Sequence, residues 1–327
     1  MKLIKGDAMR PTKIPNISIV IPTFNEERII KKCLESLYSM NYPRDKFEII
    51  IVDDGSNDKT KDIIKQYDVE LIETSGVGPS EARNIGLKKA RGEFIAFTDG
   101  DCIVHKEWLN ELLKGFVEDN VVGVGGKQKS PRDDSDFGKN VQYFLQKMGF
   151  ICDYTKSGGG VSKAEHSPTC NVMYHRSVLE KLGGFEKGLW PGEDVELDYR
   201  IKKMGYELMN NSNAVVYHYR PDNFQGFAKM MYNYGRVQAY LVKKYGFFRL
   251  LHYVPVVALV AGCLWLGLLV YTPFAAILLA GTVFLAFFLF FLLKTGFKIT
   301  KALNCYALFL MTLWKWNLGF FKEILRG

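Results

Sequence analysis

The stretch ISIVIPTFNEERIIKKCLESLYSMNYPRDKFEIIIVDDGSND, residues 17–58, decides the fold class. It is built around two short β-rich runs, ISIVIP at 17–22 and FEIIIV at 47–52. Between them, Glu26 to Ser39 carries Ile29, Ile30, Cys33, Leu34 and Leu37 at the spacing of one helical face. Near-continuous apolar strands are what a parallel sheet requires, because helices cover both of its faces. The alternation continues outward: helical 59–66, strand-like 69–73, helical 79–90, strand-like 94–98. This pattern predicts an α/β fold, a mostly parallel sheet flanked by helices. Ligands of such sheets bind at the carboxyl ends of the strands. Three polar clusters fall at those ends: Thr23-Phe24-Asn25-Glu26, Asp53-Asp54 and Asp99-Gly100-Asp101.

Further along, residues 106–150 predict a helix, a strand at 121–127 and a second helix. The Gly- and Ser-rich stretch 154–167 predicts a mobile loop, followed by helices at 175–182 and 193–204 and a strand near 214–218. From Asn223 to Tyr245 aromatic and basic residues interleave, the composition of a helix lying at the headgroup level or of a half-buried surface helix. From Leu250 to Leu293 no Lys, Arg, Asp or Glu occurs. Val254–Tyr271 and Pro273–Leu293 are each long enough to span a bilayer, joined by a tight turn. Lys243, Lys244 and Arg249 precede the first span and Lys294, Lys298 and Lys301 follow the second, which predicts both ends on the cytoplasmic side. A third segment, Ala302–Phe321, contains only Lys315 and either crosses, a reading slightly preferred, or lies flat; Lys322 and Arg326 count against crossing.

The net charge of +8 is uneven: six basic residues against Glu323 alone after Leu293 supply +5 of it. Placed beside apolar spans, the excess points to an anionic membrane surface and not to nucleic acid. The expected organisation is therefore a cytoplasmic catalytic domain over 1–222, an interfacial helix over 223–249 and a membrane anchor of two or three helices over 250–327. The lead-in MKLIKGDAMRPTKIP has no apolar run and does not read as a signal peptide. Six cysteines are scattered singly with no CxxC spacing, which argues against a zinc ribbon or disulfide framework and fits a reducing compartment.

The acidic pairs carry the chemistry. VDDGSND and DGD could each be a simple turn, but both follow apolar strands and so share one edge of one sheet. Asp99 and Asp101, one residue apart, suit a hard divalent cation that leaves room for phosphate. Arg83, in GPSEARNIG between the two clusters, offers a fixed fork to a phosphate or a base edge; the alternative is a surface salt bridge to Glu81 or Glu26. In WPGEDVELDYR, helical spacing places Asp194 and Asp198 on one face. Glu193 and Asp194 can mark a helix start or supply the carboxylate that takes a proton from a hydroxyl.

Taken together, PTFNE, VDDGSND, GPSEARNIG, FTDGDC and NVMYHRSVLEKLGGF followed by GEDVELDYRIKKMGY resemble the family-2 glycosyltransferases of the GT-A fold. The likeness runs from about Ile17 to His218, with the motifs in the family's order. It implies an inverting transfer from a nucleoside diphosphate sugar, with Mg²⁺ or Mn²⁺, to a hydroxyl of a lipid-linked glycan. By the same resemblance Pro22, Thr23, Asn25, Glu26, Asp54, Arg83 and Asp99 lie at the nucleotide sugar. Asp99 and Asp101 hold the metal, with His218 in VVYHYRPD as a further ligand or a satisfied polar histidine. Asp194 is the implied base, and Glu193 is expected to meet the acceptor or line the site. The QxxRW motif of the family's processive members has no counterpart here, which implies transfer of single sugars. A polyprenyl-phosphate sugar synthase and an inactive membrane scaffold are the rival readings. The intact GED and acidic motifs weigh against both.

Overall fold

A computed structural model describes residues 14–148 and 160–326. In chain order the elements are β1 (Ile17–Thr23), α1 (Ile30–Tyr38), β2 (Phe47–Asp53), α2 (Thr60–Ile64), β3 (Glu70–Glu73), α3 (Pro79–Lys89), β4 (Phe94–Phe97), β5 (Cys102–Val104), α4 (Trp108–Leu113) and β6 (Val121–Lys129). There follow α5 (Asp136–Met148), β7 (Val161–Ala164), β8 (Val172–His175), α6 (Arg176–Leu182), α7 (Glu193–Lys203), β9 (Glu207–His218), α8 (Phe224–Tyr245), α9 (Val254–Tyr271), α10 (Pro273–Lys294) and α11 (Ile299–Ile324). The chain divides into two compact units, Met1–Asp133 with Ile151–Tyr219 and Asp134–Phe150 with Arg220–Gly327.

The first unit is one mixed sheet in the order β3-β2-β1-β4-β8-β6-β9-β5, with β7 also paired to β9. β1 to β4 run parallel, so Thr23, Asp53 and the turn after Phe97 open on the same edge. Strand side chains alternate between faces, and β1 divides its residues accordingly. Ile17, Ile19 and Ile21 pack with Cys33, Leu34 and Leu37 of α1, whereas Val20 packs with Ala82 and Leu87 of α3 and Leu197 of α7. Gly86 sets the depth of α3, since a Cβ there would stand 2.3 Å from a Val20 methyl. That flush seating carries Arg83, one turn earlier, beneath the strand ends.

Two expectations change. The stretch 154–167 is not loop throughout: Val161–Ala164 forms β7, antiparallel to β9. Its part at 154–159 and the polar lead-in at 1–13 lie outside the described residues. The strand expected near 214–218 begins at Glu207. The run Asn210-Asn211-Ser212-Asn213 reads as a turn, yet Asn210 and Asn211 are buried, and Asn211 Nδ2 donates to the Glu111 carbonyl at 2.7 Å. A satisfied polar side chain is tolerated inside a sheet.

In the second unit α8 and α11 lie so close that each needs a glycine at the contact. A Cβ on Gly235 would stand 2.0 Å from the Trp316 carbonyl oxygen, and one on Gly319 2.1 Å from that of Tyr232. Arg236 Nε donates to Glu323 at 3.2 Å at one end of this pair. Phe144 of α5 joins them, with ring centroids 6.0 Å from Phe227 and 6.4 Å from Phe291. Among the described residues, Leu250–Tyr271 and Pro273–Lys294 are the helices long and apolar enough to cross a membrane. They expose Leu264, Val270, Phe274 and Leu293, as spans facing lipid would. α11 is not one of these two; it buries one face, including Cys305, Leu308, Thr312 and Phe320.

Candidate active site

At the carboxyl end of β1 the chain turns through Asn25, which is held at φ +57°. Asn25 pays for this left-handed geometry with two bonds to the loop after β2. Its N–H donates to Ser56 Oγ at 2.8 Å and its Oδ1 accepts from the Asn57 N–H at 2.9 Å. The two aspartates that follow β2 have separate tasks. Asp53 is fully buried and caps its own turn, accepting from the Ser56 N–H at 2.9 Å and the Ser56 hydroxyl at 2.5 Å. Asp54 looks outward along the edge and accepts from the Val77 and Gly78 N–H groups, both at 2.8 Å, which fixes the loop leading into α3.

Arg83 is buried, and it is not the surface ion pair with Glu81 or Glu26 that the sequence left open. Its Nη2 donates to Asp99 at 2.6 Å and its Nη1 to Glu193 at 2.9 Å. Glu81 instead pairs with Lys187 at 3.2 Å. One guanidinium thus ties the DGD turn to the start of α7. Glu193 also accepts from the Thr169 hydroxyl at 3.1 Å. Burial, aided by neighbouring Asp194, pushes its carboxyl up to about 7 against the pull of Arg83.

Asp194 stands in the first turn of α7, where the helix dipole favours an anion. One oxygen accepts from the Val195 N–H at 2.8 Å, and the other lies 3.7 Å from His166 Nε2. The far side of that imidazole is fixed: His166 Nδ1 is 2.9 Å from Asp198, which also accepts from the Tyr174 hydroxyl and the Ser167 N–H, both at 2.7 Å. Asp194 and Asp198 therefore share a face, as the helical spacing predicts, because both reach one histidine. His166 escaped sequence reasoning because it lies in the segment taken as loop, 28 residues from its partner. Arg200 anchors the same helix, donating to the Leu182 and Gly184 carbonyls, each at 2.8 Å.

The third group gathers Glu26, Asp99, Asp101 and His218. His218 ends β9, and its Nε2 lies 3.3 Å from Asp101. Burial pushes the Glu26 carboxyl up to about 8, helped by the fields of Asp101 and then Asp99 and opposed by His218. Three carboxyl groups sharing one locality cannot all ionise comfortably without a cation among them. Carboxylate oxygens with one imidazole are the kind of donor that Mg²⁺ or Mn²⁺ takes. Cys102 and Cys170 adjoin this group; their spacing of 68 residues gave no sign of it.

The family model for glycosyl transferase family 2 matches residues 18–183. The glycosyltransferase AglE of Haloferax volcanii is 32% identical over 207 residues, covering 60% of this chain and 64% of that protein. The chain thus spans less than two thirds of AglE's length. A Methanococcus voltae relative is 28% identical over 327 residues, covering 95% of this chain and 98% of its own. Its name is dolichyl N-acetyl-alpha-D-glucosaminyl phosphate 3-beta-D-2,3-diacetamido-2,3-dideoxy-beta-D-glucuronosyltransferase. Among solved structures, the mannosyltransferase PcManGT from Pyrobaculum calidifontis, in complex with GDP-Man and Mn²⁺, superposes with a TM-score of 0.66. At 21% identity it covers 93% of this chain and 88% of its own.

Proposed function

This chain belongs to glycosyltransferase family 2, and from that membership we propose that it moves one sugar from a nucleoside diphosphate sugar to a hydroxyl of a lipid-linked glycan at the cytoplasmic face of a membrane. The single observation that carries the reading is the Arg83 bridge, which holds the cation-seeking group at Asp99 and the carboxylate pair Glu193-Asp194 to one guanidinium. Leaving group and acceptor are thereby handled in one place. Asp99, Asp101 and His218 would hold Mg²⁺ or Mn²⁺, which supplies charge compensation to a departing diphosphate. Pro22, Thr23, Asn25, Glu26 and Asp54 edge the nucleotide side. A hexose donor and a dolichyl-type acceptor agree with what the names of the mannosyltransferase and the Methanococcus voltae relative say of those proteins.

Of the α7 carboxylates, Asp194 is our candidate for proton abstraction, since Glu196 is held by Arg200 at 2.6 Å. Glu193 is spent on Arg83 and Thr169, and Asp198 on His166, Tyr174 and Ser167. His166, fixed from behind, orients Asp194. Removing the hydroxyl proton as the oxygen attacks the anomeric carbon gives a single displacement with inversion. Asp194→Asn keeps size and most hydrogen bonding but cannot take the proton, a loss that costs about 10²–10⁴-fold in rate. Donor affinity, measured by calorimetry with the nucleotide sugar, should stay within a few-fold. Transfer at the native rate would exclude Asp194 as base and favour a phosphate acceptor, which needs no deprotonation.

A further inference from the structure

Behind the DGD turn lie two thiols that sugar transfer does not use, within reach of donors that it does. Cys102 opens β5 and is paired directly across the sheet with His218 at the end of β9. Cys170, in the single turn before β8, meets them there. One ligand atom each from Cys102, Cys170 and His218 lies within 4.8 Å of the others. Both thiols are buried, and Gln128 Nε2 donates to Cys170 Sγ at 3.0 Å, a contact that favours the thiolate. A fourth donor adjoins them: Asp101 Oδ1 is 3.5 Å from Cys102 Sγ and Asp101 Oδ2 is 3.3 Å from His218 Nε2, so a rotation of this carboxylate would bring one oxygen in to complete the set.

We infer that Cys102, Cys170, His218 and Asp101 form a binding site for a borderline-soft cation, Zn²⁺ above all, which inhibits the enzyme by taking His218 and Asp101 away from the catalytic metal. Tetrahedral Zn²⁺, with bonds of about 2.3 Å to sulfur and 2.0–2.1 Å to nitrogen or oxygen, sets neighbouring donors roughly 3.3–3.8 Å apart. The two thiols and the imidazole, within 4.8 Å of one another, need side-chain adjustment of an ångström or so to reach that range, and Asp101 a rotation that presents one oxygen to all three. Donor chemistry separates the two occupants. A hard cation takes carboxylate oxygens at Asp99 and Asp101, whereas thiolates select the softer one. In the divalent series Zn²⁺ also outbinds Mn²⁺ at a mixed nitrogen, oxygen and sulfur site. The inference goes beyond the transfer reaction, and its direct readout does not require transfer to occur.

Full-length protein in detergent, stripped of metal and donor and kept reduced, is titrated with Co²⁺ as a spectroscopic stand-in for Zn²⁺. One equivalent should raise a thiolate-to-cobalt band in the near ultraviolet and the visible bands of a tetrahedral ion, and Zn²⁺ should bleach both stoichiometrically. Cys102→Ser and Cys170→Ser should each lose most of the near-ultraviolet band, while Asp99→Asn keeps it. If Cys102→Ser fails to fold, judged by circular dichroism, Cys170→Ser decides alone. In the Mn²⁺-supported transfer assay, Cys170→Ser should retain its rate yet require about ten-fold more Zn²⁺ for half-inhibition. No thiolate band, or one that survives loss of either cysteine, overturns the site. Undiminished Zn²⁺ sensitivity in Cys170→Ser overturns the inhibitory role. A protein that shows the band but transfers no sugar refutes the proposed function and leaves the metal site standing.

Discussion

Glu26 is a carboxyl group kept from ionising by its neighbours, and that has a measurable sign. Its folded value is about 8 against an ordinary 4.5. Between those limits the unfolded chain releases the proton while the folded chain retains it. The metal-free protein therefore loses stability as pH rises through that window, by at most about 1.4 kcal/mol per unit for one proton. Glu26→Gln should flatten this part of the pH profile of thermal unfolding, with the largest gain over the native protein near pH 8. Mn²⁺ relieves the same repulsion, so its stabilisation of the native protein should grow with pH and grow less in the variant. A native profile no steeper than that of Glu26→Gln would uncouple Glu26 from the fields of Asp99 and Asp101. The residue types here were legible in the sequence, because acids after apolar strands must meet at one sheet edge. The division of labour within Asp53-Asp54 was not. Both follow the same strand, and only the folded turn consumes the first in its own cap.

At the scale of the element, the position of α3 decides whether Arg83 reaches both Asp99 and Glu193. An exposed helical glycine replaced by alanine gains about 0.5–1 kcal/mol. At Gly86 the sign reverses, because the added methyl would meet the stiff, buried side chain of Val20 at 2.3 Å. Gly86→Ala should destabilise by about 1–3 kcal/mol, as overpacking does, and weaken nucleotide-sugar binding by lifting Arg83. Lys89→Ala on the exposed side of the same helix is the control. Chemical denaturation together with donor calorimetry reads both effects, and a stabilised Gly86→Ala protein would show that α3 has room to move. The period of the apolar residues made α1, α3, α7 and the parallel strands legible. β7 and the first half of β9 were hidden because their residues are polar and their stability comes from pairing with distant strands. His166 was hidden with them, since its role depends on a contact across that same region.

For the molecule as a whole, the apolar pair α9 and α10 and the basic residues around them make orientation testable. With Cys263→Ala removing the native thiol that is exposed among the described residues, and Cys152→Ala the one outside them, Lys298→Cys should resist a membrane-impermeant maleimide in intact cells and label after permeabilisation. Thr272→Cys, in the turn between the two helices, should label from outside without it. Labelling of Lys298→Cys in intact cells would overturn a hairpin with both ends in the cytoplasm. The spans were legible because an uncharged run needs no tertiary context. The contribution of α5 was not, because its amphipathic pattern would serve equally well against the sheet. The chain instead leaves the first unit at Asp134, returns at Ile151 and departs again at Arg220. This itinerary matters on the ribosome. Phe144 is synthesised 83 residues before Phe227 and 147 before Phe291, its two ring partners. At about 5–20 residues per second, the apolar face of α5 waits roughly 7–30 s for the last of them. Until Phe227 is made the nascent chain presents a sticky helix with neither ring partner, and from then until Phe291 it has only one. Slow translation through the α9–α10 coding region should therefore raise aggregation and chaperone demand, even though every residue of the catalytic sheet has already emerged.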